Sequence, residues 1–448
     1  MFAPIFIFLK RCFYSFYKKN MHHFYYRDSE LYVEDVPVLS LVKEFGTPLY
    51  VYSAQTIIDH YTRFEKLLEP LDHLICYAVK ANSNLWILKL LANLGSGFDL
   101  VSGGELYRVL RAGGDPKKCT FAGVGKTRSE IEEALRVGIY SFIVESEEEL
   151  LTIDAIAKKL SIQAPVAFRI NPDVQAATHA KITTGSDVNK FGIALSQVSD
   201  LFEKCSKLDG VLLKGIQIHI GSQIQQVGPF LQAIQKVLPL VEKARQKYRV
   251  EFLDIGGGIG IVYEQAIESG REDWWKERNE SLTLDRYVAS ILPLVKPIGM
   301  RLLVEPGRVL VGNAGILVSQ VLYVKKGGSK KFIIVDAAMN DLVRPAFYEA
   351  YHQIIPLREQ VDPMMEVVDV VGPVCESSDC FAIDRPLSKV QAGDYLAIFS
   401  TGAYGFSMAS NYNSRLKPAE VMVSGKEVKL IRKRESYQDL VALEEGSI

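Results

Sequence analysis

Five short stretches of this chain carry side chains that could do chemistry, and the first is built around a lysine. In Tyr77-Ala78-Val79-Lys80-Ala81-Asn82 an amine follows the apolar run Leu74 to Val79, which has the length and content of a buried strand. An amine beside so much apolar side chain loses hydration, which lowers its pKa and makes it a nucleophile able to condense with an aldehyde. The alternative is a lysine snorkelling out from a strand end. In Gln217-Ile218-His219-Ile220-Gly221-Ser222-Gln223 a histidine sits in an apolar strand, where by itself it reads as a satisfied core residue. Asp254-Ile255-Gly256-Gly257-Gly258-Ile259-Gly260 presents three successive glycines. Their bare N–H groups let a chain approach an anion closely, and a tight turn is the plainer reading. Glu305-Pro306-Gly307-Arg308 alone would be a salt bridge. Gly372-Pro373-Val374-Cys375-Glu376-Ser377-Ser378-Asp379 contains a thiol whose ordinary pKa suits proton transfer, or which is a buried structural cysteine.

The elements that must position these groups alternate. Apolar strands are expected at 74–79, 97–102, 120–122, 141–144, 166–170, 213–220, 252–255 and 301–304. Helical stretches separate most of them, such as 84–94, 104–112, 129–137, 147–159 and 229–248. Eight strands alternating with helices over about 250 residues predict a closed parallel α/β barrel. An open doubly wound sheet would need a G-x-G-x-x-G loop after its first strand, and Lys80-Ala81-Asn82 is not one. In a barrel the C-terminal strand ends form the active face, with phosphate often held after strands seven and eight. Lys80 then ends the first strand, His219 the sixth, the glycine run the seventh and Glu305 the eighth.

Before the barrel, a helix ends ahead of Thr47-Pro48, 49–52 is a short strand and Ser53 caps a helix with Ile57, Ile58, Tyr61, Phe64 and Leu67 on its apolar face. From Gly307 the chain turns to β-rich runs at 316–324, 331–335, 365–371 and 395–399, so a second, all-β domain is expected. The expected domains are 54–305 as the barrel, and 21–53 with 306–448 as the β domain.

Composition excludes some classes. Of 448 residues 48% are apolar and 23% charged, with 52 Lys+Arg against 53 Asp+Glu, so charge gives no reason to expect nucleic acid or a membrane surface. The six cysteines have no C-x-x-C spacing, which fits reduced thiols in a cytoplasmic protein. Residues 1–20 are aromatic and apolar with charges after the apolar run, a poor fit to a secretory signal. They are expected to be an upstream-start extension or a disordered arm.

Tyr-Ala-Val-Lys-Ala-Asn resembles the cofactor-lysine motif of the fold-type III pyridoxal-phosphate-dependent decarboxylases, with their alanine racemase-like fold. The later motifs, in order over roughly residues 21–445, resemble the diaminopimelate decarboxylases among them. The resemblance implies pyridoxal 5'-phosphate as cofactor, and Lys80, His219 and Cys375 as catalytic residues. It places Ser222, Gly256, Gly257, Gly258, Pro306, Gly307 and Tyr404 at the cofactor, with His219 stacked on its ring and Glu305 facing its pyridine nitrogen. Arg308 lies at both cofactor and substrate, and Arg344, Tyr348, Glu376 and Tyr404 at the substrate. No metal is implied. His179-Ala180-Lys181 and Asn189-Lys190-Phe191-Gly192 follow the pattern without an assigned role. The implied reaction is decarboxylation of meso-2,6-diaminopimelate to L-lysine and CO2, in a homodimer with shared sites. Ornithine-, arginine- and carboxynorspermidine-type decarboxylases of the fold are the alternatives. Ornithine-type enzymes typically place aspartate after the cysteine, where this chain has Glu376. Racemases of the fold lack the Cys-Glu pair, and a cofactor carrier would lack the second domain.

Overall fold

The computed structural model describes residues 21–174, 190–271, 274–275, 282–360 and 363–444. The 1–20 extension, His179–Lys181 and Asn189 lie outside the described residues.

Two compact units make up the chain. One spans Tyr61–Ile261 and Leu282–Leu310, the other Met1–His60, Val262–Ser281 and Val311–Ile448. The first is the barrel. Its eight strands are His73–Ala78, Gly97–Leu100, Cys119–Phe121, Ser141–Val144, Ala164–Asn171, Val211–Ile218, Phe252–Asp254 and Arg301–Val304. All pair in parallel, and the ring closes where Arg301–Val304 meets His73–Ala78 and where Ser141–Val144 meets Ala164–Asn171. Every expected strand is present, displaced by at most two residues at an end. The strands read as near-continuous apolar runs because both faces are covered.

Four of the intervening helices start where a side chain satisfies a first-turn N–H group. Asn84, Ser102, Thr127 and Ser146 cap the helices beginning at Leu85, Gly103, Arg128 and Glu147, and Thr127 forms a reciprocal capping box with Glu130. Inside the barrel Cys76, Ala122, Ile143, Ala167, Phe252 and Leu303 form one buried cluster. Gly215 makes room for the largest of them, since a Cβ there would lie 2.5 Å from the Phe252 ring.

The second unit is mostly sheet. Its main path runs Cys380–Ser388, Met365–Val371, Lys330–Val335, Gly315–Gly327, Leu49–Ser53, Ala419–Ser424, Glu427–Arg432, and Tyr395–Ile398 and Ile354–Pro356 pair off it. Leu49–Ser53 lies near the middle, flanked by Gly315–Gly327 and Ala419–Ser424. The residues before it form their own three-stranded sheet from Phe24–Arg27, Glu30–Val33 and Val36–Pro37. Leu31, Val33, Leu49, Val51, Ile316, Val318, Phe399 and Val421 belong to its core. Among the described residues no helix is long and apolar enough to cross a membrane.

Candidate active site

The groups expected at the barrel's C-terminal end are brought together there. Strand His73–Ala78 stops two residues before the lysine, and Val79–Ala81 forms a single 3-10 turn that carries Lys80. The amine is not stripped of polar neighbours as its apolar flank had suggested. Its side chain is 36% exposed, and Nζ lies 2.9 Å from Oδ2 of Asp99, which is fully buried on the adjacent strand. The apolar run packs the strand, while the 3-10 turn swings the amine clear of it towards a carboxylate.

Glu305 lies just past strand Arg301–Val304 and is buried. Gln217 Nε2 donates to its Oε1 at 3.3 Å and its Oε2 at 3.2 Å. Register puts Gln217 beside Asp254, whose Oδ1 accepts from Gly256 N at 2.8 Å. Burial, with the nearby charges of Asp254 and Asp99, holds the Glu305 carboxyl well above the usual carboxylate range. Burial likewise pushes Asp254 up to about 7. Two buried carboxyls with raised pKa values hold a proton between them.

His219 is neutral. Burial lowers its pKa well below the usual histidine value, helped by the positive charges of Arg169 and Lys80. Nδ1 accepts from Gly257 N at 3.2 Å, which leaves the proton on Nε2. The 4.0 Å approach of Glu305 Oε2 to Nδ1 is therefore not an ion pair.

The glycine loop is held by close approach. A Cβ on Gly257 would stand 2.1 Å from Glu305 O, and one on Gly258, at φ +97°, 2.3 Å from Gly221 O. Beside it, Arg308 Nη2 donates to Ser222 Oγ at 2.9 Å, and Pro306 O accepts from Ala78 N at 3.1 Å. A Cβ on Gly307 would meet Ala81 and Ala78 at 3.0 and 3.1 Å. Gly258→Ala is expected to lose about 2 kcal/mol or more of stability, from the left-handed backbone and the clash with Gly221 O together. Urea unfolding checks it, and a midpoint equal to wild type would mean the loop relaxes freely.

These features fit pyridoxal phosphate: an amine for its aldehyde, a tight glycine cradle for an anion, a flat neutral imidazole, and a buried carboxyl that can face a ring nitrogen.

The second unit positions the remaining candidates. Arg344 opens the short helix Arg344–Tyr348 and is buried. Its Nη1 donates to His352 Nε2 at 2.9 Å, and its Cζ lies 4.7 Å from the Tyr263 ring centroid. Tyr348 packs edge-on against Phe347. Tyr404 adopts φ 56° in a loop where a Cβ on Gly405 would meet Thr401 O at 2.3 Å. Cys375 is exposed rather than buried, and its N–H donates to Asn413 Oδ1 at 3.3 Å. Glu376, also exposed, accepts from Tyr412 OH. Asp379 shapes their loop, accepting from Val374 N at 2.7 Å and Met339 N at 2.6 Å. Asp99, Gln217, Asp254 and Asp379 thus contact or shape the candidate residues, and sequence reasoning gave them no role. The last three stood within the quoted motifs, and Asp99 is signalled only as a carboxylate in an otherwise apolar strand.

Residues 54–312 match the family model for the pyridoxal binding domain of the pyridoxal-dependent decarboxylases. The chain is 46% identical to a diaminopimelate decarboxylase of Aquifex aeolicus over 93% of its own length and 96% of the relative's. It is 46% identical to that of Vibrio cholerae, over 94% and 98%. The crystal structure of diaminopimelate decarboxylase from Helicobacter pylori complexed with L-lysine superposes with a TM-score of 0.85 at 41% identity, covering 92% of this chain and all of that one. The chain belongs to the diaminopimelate decarboxylase family of pyridoxal-dependent decarboxylases.

Proposed function

We propose that this enzyme decarboxylates meso-2,6-diaminopimelate to L-lysine and CO2, using Lys80 as the cofactor lysine. The reading is carried by the convergence of Lys80, neutral His219, buried Glu305 and the Gly256–Gly258 loop at one end of the barrel. Bound there, pyridoxal phosphate supplies an electron sink for the pair left at Cα when the carboxylate departs. Lys80 would hold the cofactor through its amine. Asp99 fixes the Lys80 amine at the end of its turn. Glu305, steadied by Gln217, would face a basic ring nitrogen placed against it and hold a proton there. His219 offers an uncharged flat face, and Arg308 is anchored by Ser222. The Gly256–Gly258 loop and Gly307 leave room for the phosphate.

From the sheet unit, Arg344, Tyr348, Glu376 and Tyr404 are assigned to the substrate and Tyr404 also to the cofactor. Cys375 is the acid that reprotonates Cα. Exposure of Cys375 and Glu376 in a single chain supports a homodimer in which they serve the Lys80 of a second copy. Balanced charge and free cysteines among the described residues support a cytoplasmic setting.

Diaminopimelate has a second amine and a second carboxylate, which Glu376 and the two buried arginines, Arg308 and Arg344, complement. Loss of the distal carboxylate removes an anion from a buried arginine, which costs several kcal/mol when a buried pair is broken. Ornithine and lysine should therefore be decarboxylated with kcat/KM lower by about a hundredfold or more. A decarboxylation assay across the three amino acids checks this. Comparable values for ornithine and diaminopimelate would favour the ornithine- and arginine-type reading instead.

A further inference from the structure

We propose that His352 is a positioning residue that fixes Arg344 for a substrate carboxylate and thereby sets the preference for substrates carrying a second one. This rests on the assignment of Arg344 to the substrate. His352 is fully buried, between the helix Arg344–Tyr348 and the strand Ile354–Pro356. Its Nδ1 lies 2.7 Å from the backbone O of Phe399. A carbonyl oxygen only accepts, so Nδ1 carries the proton. Nε2 then offers a lone pair, and the Arg344 guanidinium donates to it at 2.9 Å.

The imidazole has little freedom to move. Arg385 Nη1 donates to the His352 backbone O at 2.9 Å, and Phe399 N donates to the neighbouring Gln353 O at 2.8 Å. Tyr263 closes the arrangement, edge-on to the His352 ring at 5.1 Å and with Arg344 over its face. The guanidinium is thus held in its plane by His352 and from one side by Tyr263. A neutral acceptor orients a cation without cancelling its charge, which a carboxylate in the same place would do. A long arginine held in one rotamer loses less entropy when it meets an anion.

His352→Phe keeps ring size and the contact with Tyr263 but removes both hydrogen bonds. It is expected to raise KM for diaminopimelate about tenfold while kcat stays within about twofold, the effect of losing an oriented bond to a charged group. Inhibition by L-lysine, the product that keeps the distal carboxylate, should weaken in step with KM, while inhibition by cadaverine, which has no carboxylate, should be unchanged, as should the visible absorbance of the bound cofactor. His352→Gln, with an acceptor that reaches Arg344, should recover most of the lost affinity. A fall in kcat, or weaker inhibition by cadaverine in step with KM, would mean that His352 merely packs the unit, and so overturn the proposal. So would an unchanged KM. Should His352→Phe fail to fold, His352→Asn makes the same comparison, because its amide can still donate to Phe399 O but falls short of Arg344. Arg344→Gln separates the two levels. If it leaves KM untouched, the assignment of Arg344 fails and takes this inference with it. If it raises KM and the His352 variants do not, the inference alone fails.

Discussion

Lys80→Ala should reduce turnover to below about one ten-thousandth of wild type, the scale of loss when a covalent nucleophile is removed from an assembled site. Wild-type protein should be yellow, and borohydride should fix the cofactor on one peptide containing Lys80. The variant should retain no cofactor through reduction and denaturation. The geometry makes this specific to one amine. Lys126, another barrel lysine close to buried carboxylates, is almost wholly buried and committed to Glu149 at 2.6 Å and to the carbonyls of Gly123 and Ile143. Lys80 lies 2.9 Å from Asp99 and keeps a third of its side chain open. Loss of the amine also leaves Asp99 buried without its cation, so part of the effect could be lost stability. Lys80→Arg supplies the control. It keeps a cation for Asp99 but cannot form the linkage, and should be as inactive as the alanine variant. A reduced adduct found on another lysine, or substantial turnover by Lys80→Arg, would refute the assignment.

The barrel was legible because its information is local. Strands such as Ser141–Val144 and Phe252–Asp254 are buried on both faces, and caps such as Ser102, Thr127 and Ser146 stand where helices must start. The sheet unit was less so. Cys380–Ser388 contains Asp384 and Pro386, which argue against a strand; it survives because it lies at the edge of the sheet, where a missing N–H is tolerated. Glu427–Arg432 is mostly exposed and lacks a clean alternation, so it passes for a loop until it pairs with Ala419–Ser424. The same division runs through the site. Lys80, His219, Glu305 and the glycines carry their chemistry in residue type and in place along the chain. Asp99, Gln217, Asp254 and His352 matter through partners that only tertiary register supplies: 19 residues separate Lys80 from Asp99, and 88 separate Gln217 from Glu305. The environment of Lys80 was misjudged for that reason, because the carboxylate that meets it is on another strand.

Mixing two inactive variants should restore activity if the site is shared between chains. Lys80 belongs to the barrel unit and Cys375 to the sheet unit, so each variant damages one contribution and leaves the other intact. Cys375 and Glu376 sit exposed on a loop that Asp379 holds rigid through Val374 N and Met339 N. That loop keeps its shape because Gly372 is bare, since a Cβ there would stand 2.4 Å from Asp379 Oδ2. A fixed, outward-facing acid is the form a contribution to a second copy would take. Lys80→Ala and Cys375→Ala chains, each near zero activity alone, are mixed in equal amounts under conditions that exchange subunits. Half the dimers are then heterodimers, each with one site intact and one site lacking both residues. About a quarter of wild-type activity should therefore return, if exchange is free and symmetric. Exchange is followed independently by a fluorescent label on one variant. Full exchange with no recovered turnover would show that Cys375 serves the Lys80 of its own chain. Recovery without exchange would point to residual activity in one parent, which the separate assays would already have exposed.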